Sequence, residues 1–128
     1  MQNKYLLDTN VLIYYFNGLL SDDRIDAILS KSFQISIITK IEFLSWQKLH
    51  ENIHLQKKAN DFLSHAHVFA LTEEIAEKVI DLRRQVKIKT PDAIIGATAL
   101  VHGLDIVTNN VGDFKALGMG IVSVNTTV

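Results

Sequence analysis

Short apolar runs alternate with segments of helical period along this chain, and that alternation constrains its fold more than any other feature. Residues 5–7, 34–38, 68–71, 105–108 and 121–124 read as strands. Between them the apolar spacing predicts helices. The first covers about 11–16, with Thr9 or Asn10 near its N-cap and Asn17-Gly18 ending it. The second opens at Ser21-Asp22-Asp23 and runs to about Leu29. The third is capped by Thr39 and carries Ile41, Phe43, Leu44, Trp46 and Leu49 on its apolar face. Further helices cover about 55–63 and the stretch from Thr72 past Leu82. The last starts at Pro91, a residue favoured in the first helical turn, and stops at Gly103. Strands alternating with helices imply an α/β domain whose mainly parallel sheet is covered on both faces.

The chain has 128 residues, which suits one domain over 1–128, and nothing in it reads as a linker or a repeat. Cysteine is absent, so disulfides, zinc–thiolate sites and thiol nucleophiles are excluded. No apolar run approaches the roughly 18 residues needed to cross a bilayer. Met1-Gln2-Asn3-Lys4 lacks the basic-then-apolar pattern of a secretory signal, so the cytoplasm is the expected compartment. Thirteen Lys and Arg face fourteen Asp and Glu, for a formal net charge of −1. A chain that holds nucleic acid by overall charge is usually much more basic. If this one handles RNA, a bound cation or a local basic patch must neutralise the phosphates.

In parallel α/β sheets the ligand crevice lies just past the C-terminal ends of the strands. Asp8, Thr39, Thr108 and Asn109 all stand there, and Glu42 and Asp92 fall in the first turns of the helices that follow. Each acid has an ordinary structural account. Asp8 suits the turn before a helix. Thr39-x-x-Glu42 has the form of a capping box. Asp92 complements a helix dipole near Thr90. Their convergence on one crevice is harder to explain structurally. Two such charges about 4 Å apart repel by roughly 1 kcal/mol in water and about 4 kcal/mol at a surface-like dielectric. A hard divalent cation is their natural partner, because it prefers oxygen ligands and retains several waters. It also lowers the pKa of water and offsets charge on a phosphate oxygen.

Four segments, Asp8-Thr9-Asn10, Thr39-x-x-Glu42, Thr90-Pro91-Asp92-Ala93 and Thr108-Asn109-Asn110-x-x-Asp113-Phe114, resemble in order and spacing the motifs of PIN-domain nucleases. The resemblance runs from Tyr5 to Val124 and is nearest to the virulence-associated protein C (VapC) group, the toxins of type II toxin–antitoxin pairs. It implies a three-layer α/β/α fold with a five-stranded sheet ordered 3-2-1-4-5. It also implies a Mg²⁺ site that accepts Mn²⁺, endoribonuclease activity (a hydrolase acting on ester bonds), a homodimer, and inhibition by a small cognate antitoxin. By position Asp8, Glu42 and Asp92 match the family's first three acids. Thr9 and Asn10 match its supporting polar residues, and Thr108 its hydroxyl beside the metal. Many relatives carry an Asp where this chain has Asn110. Asp113 follows three residues later, either as the fourth catalytic acid or as a cap for the next turn, and Asn110 offers a neutral oxygen for a weaker second metal position.

Arg83, Arg84, Lys87 and Lys89 precede Asp92. They read first as a solvated helix end whose cations suit the dipole, and second as a guide for an RNA backbone. His50, His54, His65 and His67 have no acid or cysteine to complete a zinc set and read as surface residues. An aspartate-based phosphatase needs a second Asp two residues after the first, where Asn10 stands. A phosphorelay receiver needs an acid pair beside strand one and a late lysine, where Asp22-Asp23 and Asn109 do not fit. A non-catalytic PIN-like module that binds RNA or protein is the alternative. It would have no reason to keep three repelling carboxylates. DNA-cleaving relatives are usually larger and richer in acids, which favours RNA as substrate.

Overall fold

The computed structural model describes residues 4–126. Met1-Gln2-Asn3, on which the expectation of no leader partly rests, lies outside the described residues. The element order is β1 (Tyr5–Leu7), α1 (Thr9–Phe16), α2 (Arg24–Lys31), β2 (Gln34–Ser36), α3 (Ile37–Leu44), α4 (Ile53–Leu63), β3 (His67–Phe69), α5 (Glu73–Gln85), α6 (Thr90–His102), β4 (Asp105–Thr108) and β5 (Ile121–Ser123). Short 3-10 turns at Gln47–Leu49, Val111–Asp113 and Lys115–Leu117 complete it.

Successive residues of a strand point to opposite faces, and the strands use both faces for burial. Leu6 and Ile106 pack with Ile75, Val79 and Leu82 of α5 and with Ala93, Ile95 and Ala97 of α6. Leu7 and Val107 point the other way, onto Val11 and Leu12 of α1, Ile25 and Ile28 of α2, Phe43 of α3 and Leu63 of α4. All four strand residues are fully buried. Two cores on either side of one sheet layer make the three-layer α/β/α arrangement the sequence implies, and every strand pair is parallel.

The sheet itself differs from the expectation in one respect. β1, β4 and β5 form one ladder and β2 and β3 another, and among the described residues no backbone ladder joins β1 to β2. Polar side chains take its place. The Tyr5 N–H donates to Ser32 Oγ at 3.1 Å, and Tyr5 O accepts from the Ser32 hydroxyl at 3.2 Å and from Gln34 Nε2 at 3.0 Å. Gln34 Nε2 also donates to Ser32 Oγ at 3.1 Å. Ser32 and Gln34 are both buried, so these bonds satisfy backbone groups that would otherwise be stranded away from water. The single five-stranded sheet becomes a three-strand and a two-strand ladder side by side.

Helix boundaries bring a second correction. Residues 37–38 do not extend β2 but start α3, whose N-cap is Ser36, with its hydroxyl accepting from the Ile38 N–H. Thr39 is therefore inside the helix and caps nothing. α3 also stops at Leu44, which leaves Trp46 and Leu49 to the following 3-10 turn and Ile41 exposed on the outer side. The second helix starts later than predicted, at Arg24, so Asp22 and Asp23 precede it. Thr72 caps α5 through the Ile75 N–H, and Gly103 ends α6 in the left-handed region at φ 66°, both as read from the sequence. No helix among the described residues is long and apolar enough to cross a membrane.

Candidate functional site

The parallel register of β1 on β4 aligns Leu7 with Val107, and the Asp8 N–H continues it by donating to Val107 O at 3.0 Å. One step further along both strands, Asp8 faces Thr108. Their side chains meet: the Thr108 hydroxyl donates to Asp8 Oδ2 at 2.9 Å across a hundred residues of sequence. Thr108 Oγ1 in turn accepts from the Asn110 N–H at 2.9 Å, which holds the chain leaving β4. Asp8 and Thr108 are both buried. Asp8 occupies the N-cap position of α1, but its carboxylate makes no capping bond there.

Glu42 is held by a similar lock. Thr39 and Glu42 lie three apart on α3, a spacing that puts both on one helical face. The Thr9 hydroxyl, at the start of α1, donates to Glu42 Oε1 at 2.7 Å and pairs with Thr39 Oγ1 at 3.0 Å. Thr9 has one hydroxyl proton and gives it to the carboxylate, so Thr39 is the donor in the second pair. The Thr39-x-x-Glu42 spacing expected to form a capping box serves instead to build this bridge between α1 and α3.

Asp92 sits in the first turn of α6, half-buried. Asp113 ends the 3-10 turn after β4 and is exposed. Phe114, next to it, is fully buried and anchors that turn in the first core. The segment lies close against α6 at Gly96, where a Cβ would stand 2.6 Å from Leu117 Cδ1 and the leucine would have to shift. Asn10 and Asn110 are exposed. An open cleft of about 730 Å³ is lined by Asn10, Asp92, Asn110, Gly112 and Asp113 together with Arg83, Lys87, Ile88 and Lys89. The basic segment, read first as a solvated helix end, thus shares a cavity with two of the acids.

Burial pushes the Asp8 carboxyl up to about 6; the charges of Asp92 and Asp113 add to this, and the Thr108 hydroxyl and the Thr9 backbone oppose it. Burial likewise raises Asp92, with Asp113 and Glu42 adding to the shift and Lys89 working against it. The four acids are thus neighbours electrostatically, with Asp92 at the centre. They are not clenched together: among the described residues no three acidic or histidine side chains are grouped closely enough to enclose one ion. Such a set fits a cation that keeps much of its water, since hydration fills the gaps between widely set carboxylates. One neutral oxygen is left over. Asn109 Oδ1 is buried without a hydrogen-bond partner. The sequence places Asn109 just past the end of β4 but gives it no role, because nothing in Thr108-Asn109-Asn110 distinguishes which amide turns inward.

The family model described as PIN domain matches residues 5–118. A comparison with curated proteins returned no match. Among solved structures, a chain of a toxin–antitoxin complex from Klebsiella pneumoniae is 34% identical, with 94% of this chain and 97% of that chain covered and a TM-score of 0.77. A chain of the VapBC2 structure from Rickettsia felis, bound to a DNA fragment from its promoter, is 20% identical over 94% of this chain and 98% of that one, with a TM-score of 0.78. A chain of FitAcB from Neisseria gonorrhoeae is 23% identical over 93% and 96%, with a TM-score of 0.75. The last two likenesses establish the fold alone. The family-model match, which runs over residues 5–118, makes this chain a member of the PIN domain family.

Proposed function

We propose that this protein is a divalent-metal-dependent endoribonuclease of the VapC type, the toxin of a type II toxin–antitoxin pair. One observation carries the nuclease reading. Asp8 is a nearly wholly buried carboxyl whose pKa is raised to about 6 by burial and by the acids around it, and it makes no structural cap. A fold tolerates such a group when a cation compensates it. Asp8, Glu42 and Asp92 would hold Mg²⁺, or Mn²⁺ in its stead, directly or through water, and Asp113 at the rim would add a fourth charge. The toxin role rests on the resemblance to the Klebsiella pneumoniae chain, which was solved in a toxin–antitoxin complex. A small antitoxin partner, a homodimer and a cytoplasmic setting belong to the same reading.

When bound, the cation would lower the pKa of water and neutralise charge on the phosphate. The protein's own part is positional. Thr108 holds the Asp8 carboxylate by Oδ2, and Thr9 holds Glu42 by Oε1, so neither acid must be ordered at the moment of reaction. No histidine lines the cleft. In the reaction a water oxygen bonds to phosphorus, the bond from phosphorus to the 3′ oxygen breaks, and that oxygen takes a proton. The products carry a 5′-phosphate and a 3′-hydroxyl. Total RNA incubated with the protein should be cut with Mg²⁺ present and left intact with EDTA. Cleavage that persists in EDTA, or a 2′,3′-cyclic phosphate on the products, would overturn the proposal.

A further inference from the structure

The cleft is lined by side chains of both signs. Asp92 and Asp113 share it with Arg83, Lys87 and Lys89, and all three cations are exposed. Opposite charges lining one cavity would ordinarily pair, yet here they do not. The single ion pair among the described residues joins Arg24 to Asp22, far along the chain. Lys89 comes near enough to pull Asp92 back toward its ordinary range, but not near enough to bridge to it. Arg83 spends Nε on Ile88 O at 3.2 Å, which ties the guanidinium to the turn between α5 and α6. Its two terminal nitrogens have no partner among the described residues.

Cations held apart from nearby carboxylates cost little only where solvent or a ligand satisfies them. The ligand that suits both sets of side chains at once is an anion accompanied by a cation. A phosphodiester backbone meets that description, with its phosphates on the cations and a divalent ion on the acids. The lining also lacks any aromatic side chain on which a base would stack, so the cations engage backbone rather than bases. The net charge of −1 gives no general attraction for RNA, which leaves this patch to supply it.

We propose that Arg83, Lys87 and Lys89 form a backbone-binding wall that seats the RNA phosphates flanking the scissile bond. This rests on the ribonuclease reading and names how that site takes its substrate. These are positioning residues. The test compares the native protein with the triple variant Arg83→Gln, Lys87→Gln, Lys89→Gln, and with a control that removes as much charge elsewhere, Lys31→Gln, Lys57→Gln, Lys58→Gln. The probe is a short labelled oligoribonucleotide titrated across a range of salt concentrations. Each phosphate contact on a single strand contributes about 0.7 to the logarithmic salt slope, so the wall variant should lose about 2 of it and bind about a hundredfold more weakly at ~0.1 M salt. Its KM for cleavage should rise with kcat nearly unchanged, and the control should match the native protein in both assays. Equal slopes in the wall variant and the control would overturn the inference while leaving the nuclease intact. So would unchanged RNA binding with loss of binding to an oligo-aspartate peptide, which would assign the wall to a protein partner. If the native protein neither binds nor cuts RNA, the inference falls together with the nuclease reading.

Discussion

In the inner part of the site, its floor, the polar side chains are bonded to one another, and among the exposed residues that line the cleft, its rim, they are not. Asp8 with Thr108, and Glu42 with Thr9 and Thr39, form short side-chain pairs between elements distant in sequence, with the threonines and Asp8 buried. Asp113, Asn10, Asn110 and the three cations that line the cleft with them stand in or near water without ion pairs to one another. Asp92 lies between the two settings, half-buried and coupled to acids of both. The buried Asp8 charge acts in a medium of low polarity, where it is costly and its interactions are strong. Rim charges are screened by solvent and salt. The floor is therefore built to hold geometry, and the rim to meet a ligand that arrives with its own charge.

The largest expected effect of breaking this contrast is at Asp8. Asp8→Asn keeps the volume and removes the charge, so cleavage of RNA should fall by about a thousandfold or more, some 4 kcal/mol of lost charge stabilisation. Circular dichroism should show the fold unchanged. Asp113→Asn, at the exposed rim, should cost only about tenfold in rate and leave stability within about 0.5 kcal/mol. Equal losses in the two variants would erase the distinction between floor and rim.

Next in size is a stability effect of opposite sign to the activity effect. The folded protein holds the Asp8 proton up to about pH 6, whereas the unfolded chain releases it near 3.8. Between those values the native state binds more protons than the unfolded state, so the contribution to stability falls as pH rises. The penalty is absent below about pH 4 and complete above about pH 6. Moving a buried carboxyl from 3.8 to about 6 corresponds to about 3 kcal/mol. In EDTA at pH 7.5, Asp8→Asn should therefore be more stable than the native chain by up to ~3 kcal/mol in urea unfolding, with the gap closing toward pH 4. Added Mg²⁺ should stabilise the native chain more than the variant. A variant less stable than the native chain at pH 7.5 would show that the Asp8 charge is already compensated without metal.

The smallest effect concerns the lock itself. Thr108→Val conserves shape but strips the donor from Asp8 and the acceptor from the Asn110 N–H. Each lost bond leaves a polar group short of a partner, so unfolding should cost about 1–3 kcal/mol less. The loss should be larger at pH 7.5 than at pH 4, because the donor serves the ionised carboxylate. A pH-independent loss would mean that the hydroxyl supports the backbone turn alone.

Much of this was legible without coordinates. β4 was readable to the residue, because a run such as Asp105–Thr108 bounded by Gly103 and Asn109 has no competing helical period. Gly103 ended α6 for a local reason, the left-handed backbone that glycine adopts freely. β2 was overextended because Ile37 and Ile38 suit a strand as well as a helix, and only the cap from Ser36 selects the latter. Thr39 was misassigned for a related reason. A three-residue spacing describes both a capping box and a shared helical face, and one residue of helix boundary decides between them.

By itself the sequence determined what depends on short stretches of chain: the alternation of strands and helices, the turns, and the identities of the acids placed after strand ends. Propensity, periodicity and capping act over a few residues, so they are present in the string of letters. Tertiary structure alone decided which acid is desolvated, that Thr108 and not a helix cap satisfies Asp8, that side chains of Ser32 and Gln34 stand where a ladder between β1 and β2 would run, and that the cations at the end of α5 and in the turn after it share a cleft with Asp92. Each of these turns on distance and burial between residues far apart in sequence. Coulombic coupling and desolvation depend on those quantities and on nothing that a local pattern records.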